Sequence, residues 1–123
     1  MSDSFRLEEY VPQIALLASP RVGCFITHGG AGSVQDAVVC GKPVLCIPFM
    51  WDQPYNASLL RALGVGRVLS KRRVTWRRIS REISELLNDP AYTESARRLA
   101  GDVRTLQTSE QQMEGIRRVL AGV

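Results

Sequence analysis

An α/β fold is what this sequence predicts, with a parallel sheet between helices on both faces and a helical final third. Three observations predict it. Apolar runs at residues 23–27, 43–47 and 66–69 are nearly continuous, as strands buried on both faces must be. Helix-length stretches at 33–40 and 52–63 separate them, and each is stopped by a glycine, Gly41 or Gly64. Beyond Thr75, apolar residues recur three and four apart. Strands alternating with helices in this way build a Rossmann-like layer structure.

The elements follow in order. Phe5-Arg6-Leu7-Glu8-Glu9-Tyr10 alternates apolar and polar side chains and reads as a strand, ended by Pro12. Ile14-Ala15-Leu16-Leu17 forms a short helix before a Ser19-Pro20 turn. The strand 23–27 enters a glycine-rich turn, then the helix 33–40. Pro43 lies just past its stop signal, and the strand 43–47 is closed by Pro48. Thr75 is placed to cap a helix whose apolar face is Ile79, Ile83, Leu86 and Leu87, ended by Asn88-Asp89-Pro90. A second helix carries Tyr92, Ala96, Leu99, Val103 and Leu106, and a third carries Met113, Ile116, Val119 and Leu120. These stripes are core faces.

Size and composition exclude several classes. With 123 residues the chain is one domain, able to bury roughly two-thirds of its unfolded surface. A hydrophobic content of 45% with 23% charge is that of a globular domain, not a disordered one. No apolar run is long enough to span a bilayer, and the polar start Met1-Ser2-Asp3-Ser4 is not a signal peptide. Cys24, Cys40 and Cys46 lie in apolar segments, with a single histidine in the chain and no zinc spacing. No metal site is expected, and reduced core cysteines imply the cytoplasm. The net charge of +4 is concentrated in Arg67, Lys71, Arg72, Arg73, Arg77, Arg78 and Arg81, around Trp76. No nucleic-acid module surrounds this run, which reads as a solvated loop and helix face.

Chemistry concentrates in Thr27-His28-Gly29-Gly30-Ala31-Gly32-Ser33, between a strand and a helix. Such a turn presents unpaired N–H groups and the positive end of a helix dipole, the arrangement that binds a diphosphate. Glycines let the backbone come close, Ser33 adds a hydroxyl, and His28 adds an imidazole donor. From the loop alone a purely structural turn reads equally well. No Lys follows Gly32, so it is not a P-loop, and Gln35 stands where a dinucleotide fingerprint has its last glycine. An esterase oxyanion hole would need a nucleophile elbow and a second histidine, both absent. Two other segments end strands on the same side. They are Tyr10-Val11-Pro12-Gln13, and Pro48-Phe49-Met50-Trp51-Asp52-Gln53. An aromatic face, a phosphate cradle and a carboxylate–carboxamide pair together suit a nucleotide sugar.

At this point the chain closely resembles the nucleotide-sugar-binding half of the UDP-glycosyltransferases of the GT-B fold, including their macrolide-type bacterial members. The resemblance runs from Tyr10 to Gln53 through Pro12-Gln13, Leu17, Gly23, Phe25, Thr27-His28, Gly30, Ser33, Ala37, Gly41, Pro43, Pro48 and Asp52-Gln53. It continues through Asn56-Ala57, Leu63-Gly64-Val65-Gly66 and Leu86-Leu87-Asn88-Asp89-Pro90. It implies that Tyr10 stacks on the base in place of the usual Trp, with the Val11 backbone and Gln13 meeting base and ribose. His28, Gly30, Gly32 and Ser33 would hold the phosphates, and Asp52 and Gln53 the sugar hydroxyls. Asp36 stands where the ribose-binding residue is usually Glu, one methylene longer, so a bidentate ribose grip is not implied.

Complete members of that family are much longer. Their other half binds the acceptor and carries the catalytic base, and a further strand–helix–strand precedes the segment found here. The resemblance therefore implies one partial domain over residues 1–123, with its donor signature at 10–53 and helices at about 75–121. The lone His28 belongs to the phosphate loop, so no catalytic residue is assigned. The expected function is binding of a UDP- or dTDP-sugar donor for an inverting hexosyltransferase, without a cofactor, the isolated chain being inactive. A separately encoded subunit needing an acceptor-domain partner is the alternative, and a sugar-nucleotide epimerase a more distant one. The strand at 23–27, lacking its family neighbours, is expected to pair in a homodimer or a segment-swapped dimer.

Overall fold

The computed structural model describes residues 7–105, 111 and 114. A three-stranded parallel sheet forms its centre, in the order β1-β2-β3. The strands are β1 Phe25–Thr27, β2 Val44–Cys46 and β3 Gly66–Val68, with Phe25 opposite Val44 and Val44 opposite Gly66. Helix α1 Gln13–Ala18 precedes the sheet, α2 Ala31–Cys40 and α3 Gln53–Ala62 connect the strands, and α4 Trp76–Asn88 and α5 Pro90–Arg104 follow. Every strand therefore points its carboxyl end to one edge, and the connecting loops gather there.

The central strand explains the two-sided packing. Val44, Leu45 and Cys46 are all buried. Their side chains alternate between faces: Val44 and Cys46 join a core with Val34, Val38, Leu60, Ala96, Leu99 and Val103 from α2, α3 and α5. Leu45 instead meets Leu69 and Leu86, with Ile79 and Ile83 of α4 packed against them. Burying one such leucine contributes about 1.5–3 kcal/mol, so the sheet is held by helices on both faces.

The helix boundaries follow from capping chemistry. At the end of α2, Gly41 adopts φ 68°, a left-handed conformation that favours glycine. Its N–H donates to the Val38 carbonyl at 3.1 Å, while the Lys42 N–H donates to Ala37 at 3.0 Å. The same pair of bonds closes α3 at Gly64 and Val65. Thr75 Oγ1 accepts from the Arg78 N–H at 3.1 Å to start α4, and Asp89 accepts from the Ala91 N–H at 3.0 Å to start α5.

Two expectations are corrected. Leu7, Glu8, Glu9 and Tyr10 form no strand and are exposed; Phe5 and Arg6 lie outside the described residues. An alternating pattern becomes a strand only beside a partner, and β1 ends the sheet without one among the described residues. Leu87, expected in the core, is 53% exposed. Its Cδ2 lies against the Gly23 backbone, where an added Cβ would come within 2.6 Å, and the rest of the side chain faces outward. Leu106 and the helix expected around Met113, Ile116, Val119 and Leu120 lie outside the described residues.

Candidate functional site

The β1–α2 loop is built from backbone. Gly29 has φ 93° and is buried, with its N–H donating to Thr27 Oγ1 at 3.2 Å. A Cβ on Gly29 would lie 2.9 Å from Cys46 Sγ and 3.3 Å from the Gln53 carbonyl, so only glycine lets the loop press onto β2 and α3. Asn56 Nδ2 donates to the Gly29 carbonyl at 2.9 Å and ties the loop to α3. Gly30 caps α2 with extended backbone and no side-chain hydrogen bond. The N–H groups of Ala31, Gly32 and Ser33 thus open a helix without intrahelical acceptors. His28 Nε2 lies 2.9 Å from where a Gly30 Cβ would stand, so the imidazole lies over the loop. Around Gly32 the same construction meets open space.

Beside the loop lies a cleft of about 420 Å³, lined by Gln13, Phe25, Ile26, Thr27, His28, Ser33, Ile47 and Phe49. Three residues singled out in the sequence, Gln13, His28 and Ser33, thus share one wall. Gln13 Nε2 donates to Asp36 Oδ2 at 2.8 Å, linking the start of α1 to the middle of α2. Asp36 is therefore engaged by a carboxamide here. Tyr10 is 84% exposed and Val11 is also exposed; neither lines the cleft.

The β2–α3 loop holds the remaining pair apart. Gln53 is only 5% exposed, and its Oε1 accepts from the N–H groups of Phe49 and Met50 at 3.0 and 3.1 Å. Its carbonyl is committed to shaping the turn. Those bonds brace Trp51, which adopts φ 56°, a conformation strained for a bulky residue, and leaves its indole exposed. Asp52 is exposed at the N-cap of α3, accepting from Asn56 Nδ2 at 3.3 Å. Asn56 therefore bridges two loops, a positioning role that sequence reading did not assign it. Its signals were its place one turn beyond Asp52 and its part in the family resemblance.

Burial pushes the Cys46 thiol up to about 11, so it is a neutral packing group beneath Gly29. Cys24 and Cys40 are raised by burial as well, and the three are free thiols. Among the described residues no group of three or more His, Cys, Asp or Glu could hold a metal, and no helix is long and apolar enough to cross a membrane. What the site offers chemically is anion binding by backbone donors, an imidazole and a hydroxyl at a helix start.

Comparison with known proteins bears on the family and the fold. The family model described as UDP-glucoronosyl and UDP-glucosyl transferase matches residues 1–104. UDP-glycosyltransferase UGT5 of Dactylopius coccus is 38% identical over 99 residues, covering 80% of this chain and 19% of that protein. Human UDP-glucuronosyltransferase 2B28 is 35% identical over 95 residues, 77% of this chain and 18% of that one. Among solved structures, glycosyltransferase VinC in complex with dTDP superimposes with a TM-score of 0.82 at 25% identity, covering 100% of this chain and 31% of its own. The chain thus spans about a fifth of the length of the curated relatives it matches. A parallel sheet flanked by helices, matching GT-B glycosyltransferases over its whole length, and a family match from residue 1 to 104 agree: this chain belongs to the UDP-glucuronosyl and UDP-glucosyl transferase family.

Proposed function

We propose that this chain binds the nucleotide-sugar donor, a UDP- or dTDP-sugar, for an inverting hexosyltransferase whose acceptor site and catalytic base lie on another segment or chain. The observation that carries this is the β1–α2 loop, with Gly29 locked against Cys46 and His28 lying over the start of α2 beside the cleft. A diphosphate leaving group develops charge as the sugar departs, and prearranged donors stabilise it. Within this reading Ser33 and the N–H groups at Gly30 and Gly32 hold the phosphates, Tyr10, Val11 and Gln13 meet the base, and Asp36 the ribose. Asp52 and Gln53 meet the sugar hydroxyls, Gln53 Oε1 also shaping the turn beside them. VinC, solved with dTDP, supports a diphosphate in this fold. The three free thiols favour a reducing compartment such as the cytoplasm.

Exposed Phe49, Met50, Trp51 and Tyr55 around the β2–α3 loop favour a covering partner, either an acceptor half or a second copy of the chain across the β1 edge. Calorimetry with UDP and dTDP tests the donor reading. His28→Ala is expected to weaken binding by about 1.5–3 kcal/mol, the value of a hydrogen bond to a charged group. Equal affinity of parent and variant would remove His28 from the phosphate site. Transfer to an acceptor hydroxyl by the chain alone would show that it holds a complete active site.

A further inference from the structure

A second, larger cleft of about 600 Å³ opens beyond the carboxyl end of β3. Its wall carries six cations: Arg61 from α3, Lys71, Arg72 and Arg73 from the turn after β3, and Arg78 and Arg81 from α4. The single acid on that wall among the described residues, Glu82, already bonds Arg67, which also donates to the Tyr92 hydroxyl at 3.0 Å. The one negative charge is thus offset from outside the cluster. The framework is braced: Lys71 Nζ donates to the Phe49 carbonyl at 3.0 Å, Arg78 Nη1 to the Arg73 carbonyl at 3.2 Å, and Ser70 caps the turn. Six exposed positive charges around one concavity raise a local potential that attracts anions.

We propose that this cleft is a binding site for a compact cluster of phosphoryl groups, separate from the donor loop and sharing Phe49 as its wall. Five of the six cations are arginines, whose planar forks bond phosphate oxygens in pairs. Six positive charges match a ligand with several phosphates better than a single one. A concave wall suits a compact cluster rather than an extended strand. Free polyphosphate and a phosphorylated lipid headgroup present the same chemistry.

Calorimetry with sodium tripolyphosphate on the full chain, with excess UDP present to occupy the donor loop, tests the site, comparing Arg72→Gln/Arg73→Gln/Arg81→Gln with the parent chain and with His28→Ala. Tripolyphosphate affinity is expected to fall about tenfold or more in the triple variant and to stay within about twofold in His28→Ala. Dependence on His28 instead, or no binding at millimolar ligand, would overturn the proposal without touching the donor reading, which UDP titration decides. All three arginines are exposed, and circular dichroism checks the fold. Should the triple variant fail to fold, Arg81→Gln alone is expected to weaken binding about threefold, and unchanged affinity would overturn the site. Flotation on phosphatidylcholine vesicles containing a polyphosphorylated phosphoinositide identifies the source. Capture that tripolyphosphate reverses points to a headgroup, and no capture points to a soluble ligand. Affinity for single-stranded oligonucleotides that keeps rising with length would refute a compact cluster.

Discussion

The two arms of the candidate site are built in different ways. On one side, the β1–α2 loop is fixed by backbone geometry, with a buried Gly29, a hydrogen bond from Asn56 and a contact with Cys46. On the other, the segment from Leu7 to Pro12 is exposed, and α1 reaches the site through the Gln13–Asp36 bond. Lys42 holds the base of that arm, donating to the Ser19 and Val22 carbonyls at 2.9 and 2.7 Å. The difference teaches how the work divides. On the proposed reading, the diphosphate, the same in every donor, would meet groups that the backbone fixes. On the same reading, the base would meet an exposed segment with few packing contacts.

Substitutions along this gradient test it. Gly29→Ala is expected to cost the most, about 3 kcal/mol of unfolding free energy in urea titration, because it adds both left-handed strain and a clash with Cys46. Asn56→Ala leaves the Gly29 carbonyl without its donor and is expected to cost about 2 kcal/mol by the same measurement. A smaller loss, about 1 kcal/mol, is expected for Gln13→Ala, since Asp36 regains water when the carboxamide is gone. Tyr10→Ala is expected to change stability by no more than about 0.5 kcal/mol, because the ring is exposed. In calorimetry the same variant is expected to weaken UDP by about 1–3 kcal/mol, the value of a stacked base. An unfolding cost for Tyr10→Ala as large as that for Asn56→Ala would erase the contrast between the arms.

The well-read parts of the chain share one property. Gly41, Gly64, Thr75 and Asp89 act on neighbours within a turn, so their effects are local, and each terminates or caps the helix expected of it. Continuous apolar runs likewise announced strands buried on both faces, and β2 is one. The strand expected at 5–10 failed over its described part because its pattern needs a neighbour that only the sheet can supply. Gln53 is expected to meet the sugar, and its Oε1 also accepts two N–H groups of its own loop, a role invisible without the turn's geometry.

By itself the sequence determined the order of strands and helices, their stops, and the family, through a glycine loop and signature residues at fixed spacing. Those features are short-range, and short-range sterics and hydrogen bonding decide them. Tertiary structure alone decided which distant groups meet: Asn56 on Gly29, Gln13 on Asp36, and Arg61 with Lys71, Arg72, Arg73, Arg78 and Arg81 around one cleft. In the sequence that basic run read as a solvated face. Its cations from Lys71 to Arg81 are exposed, and the packing of α4 beside β3, with Leu86 and Ile83 against Leu45 and Leu69, sets Arg78 and Arg81 beside Arg61 and Phe49.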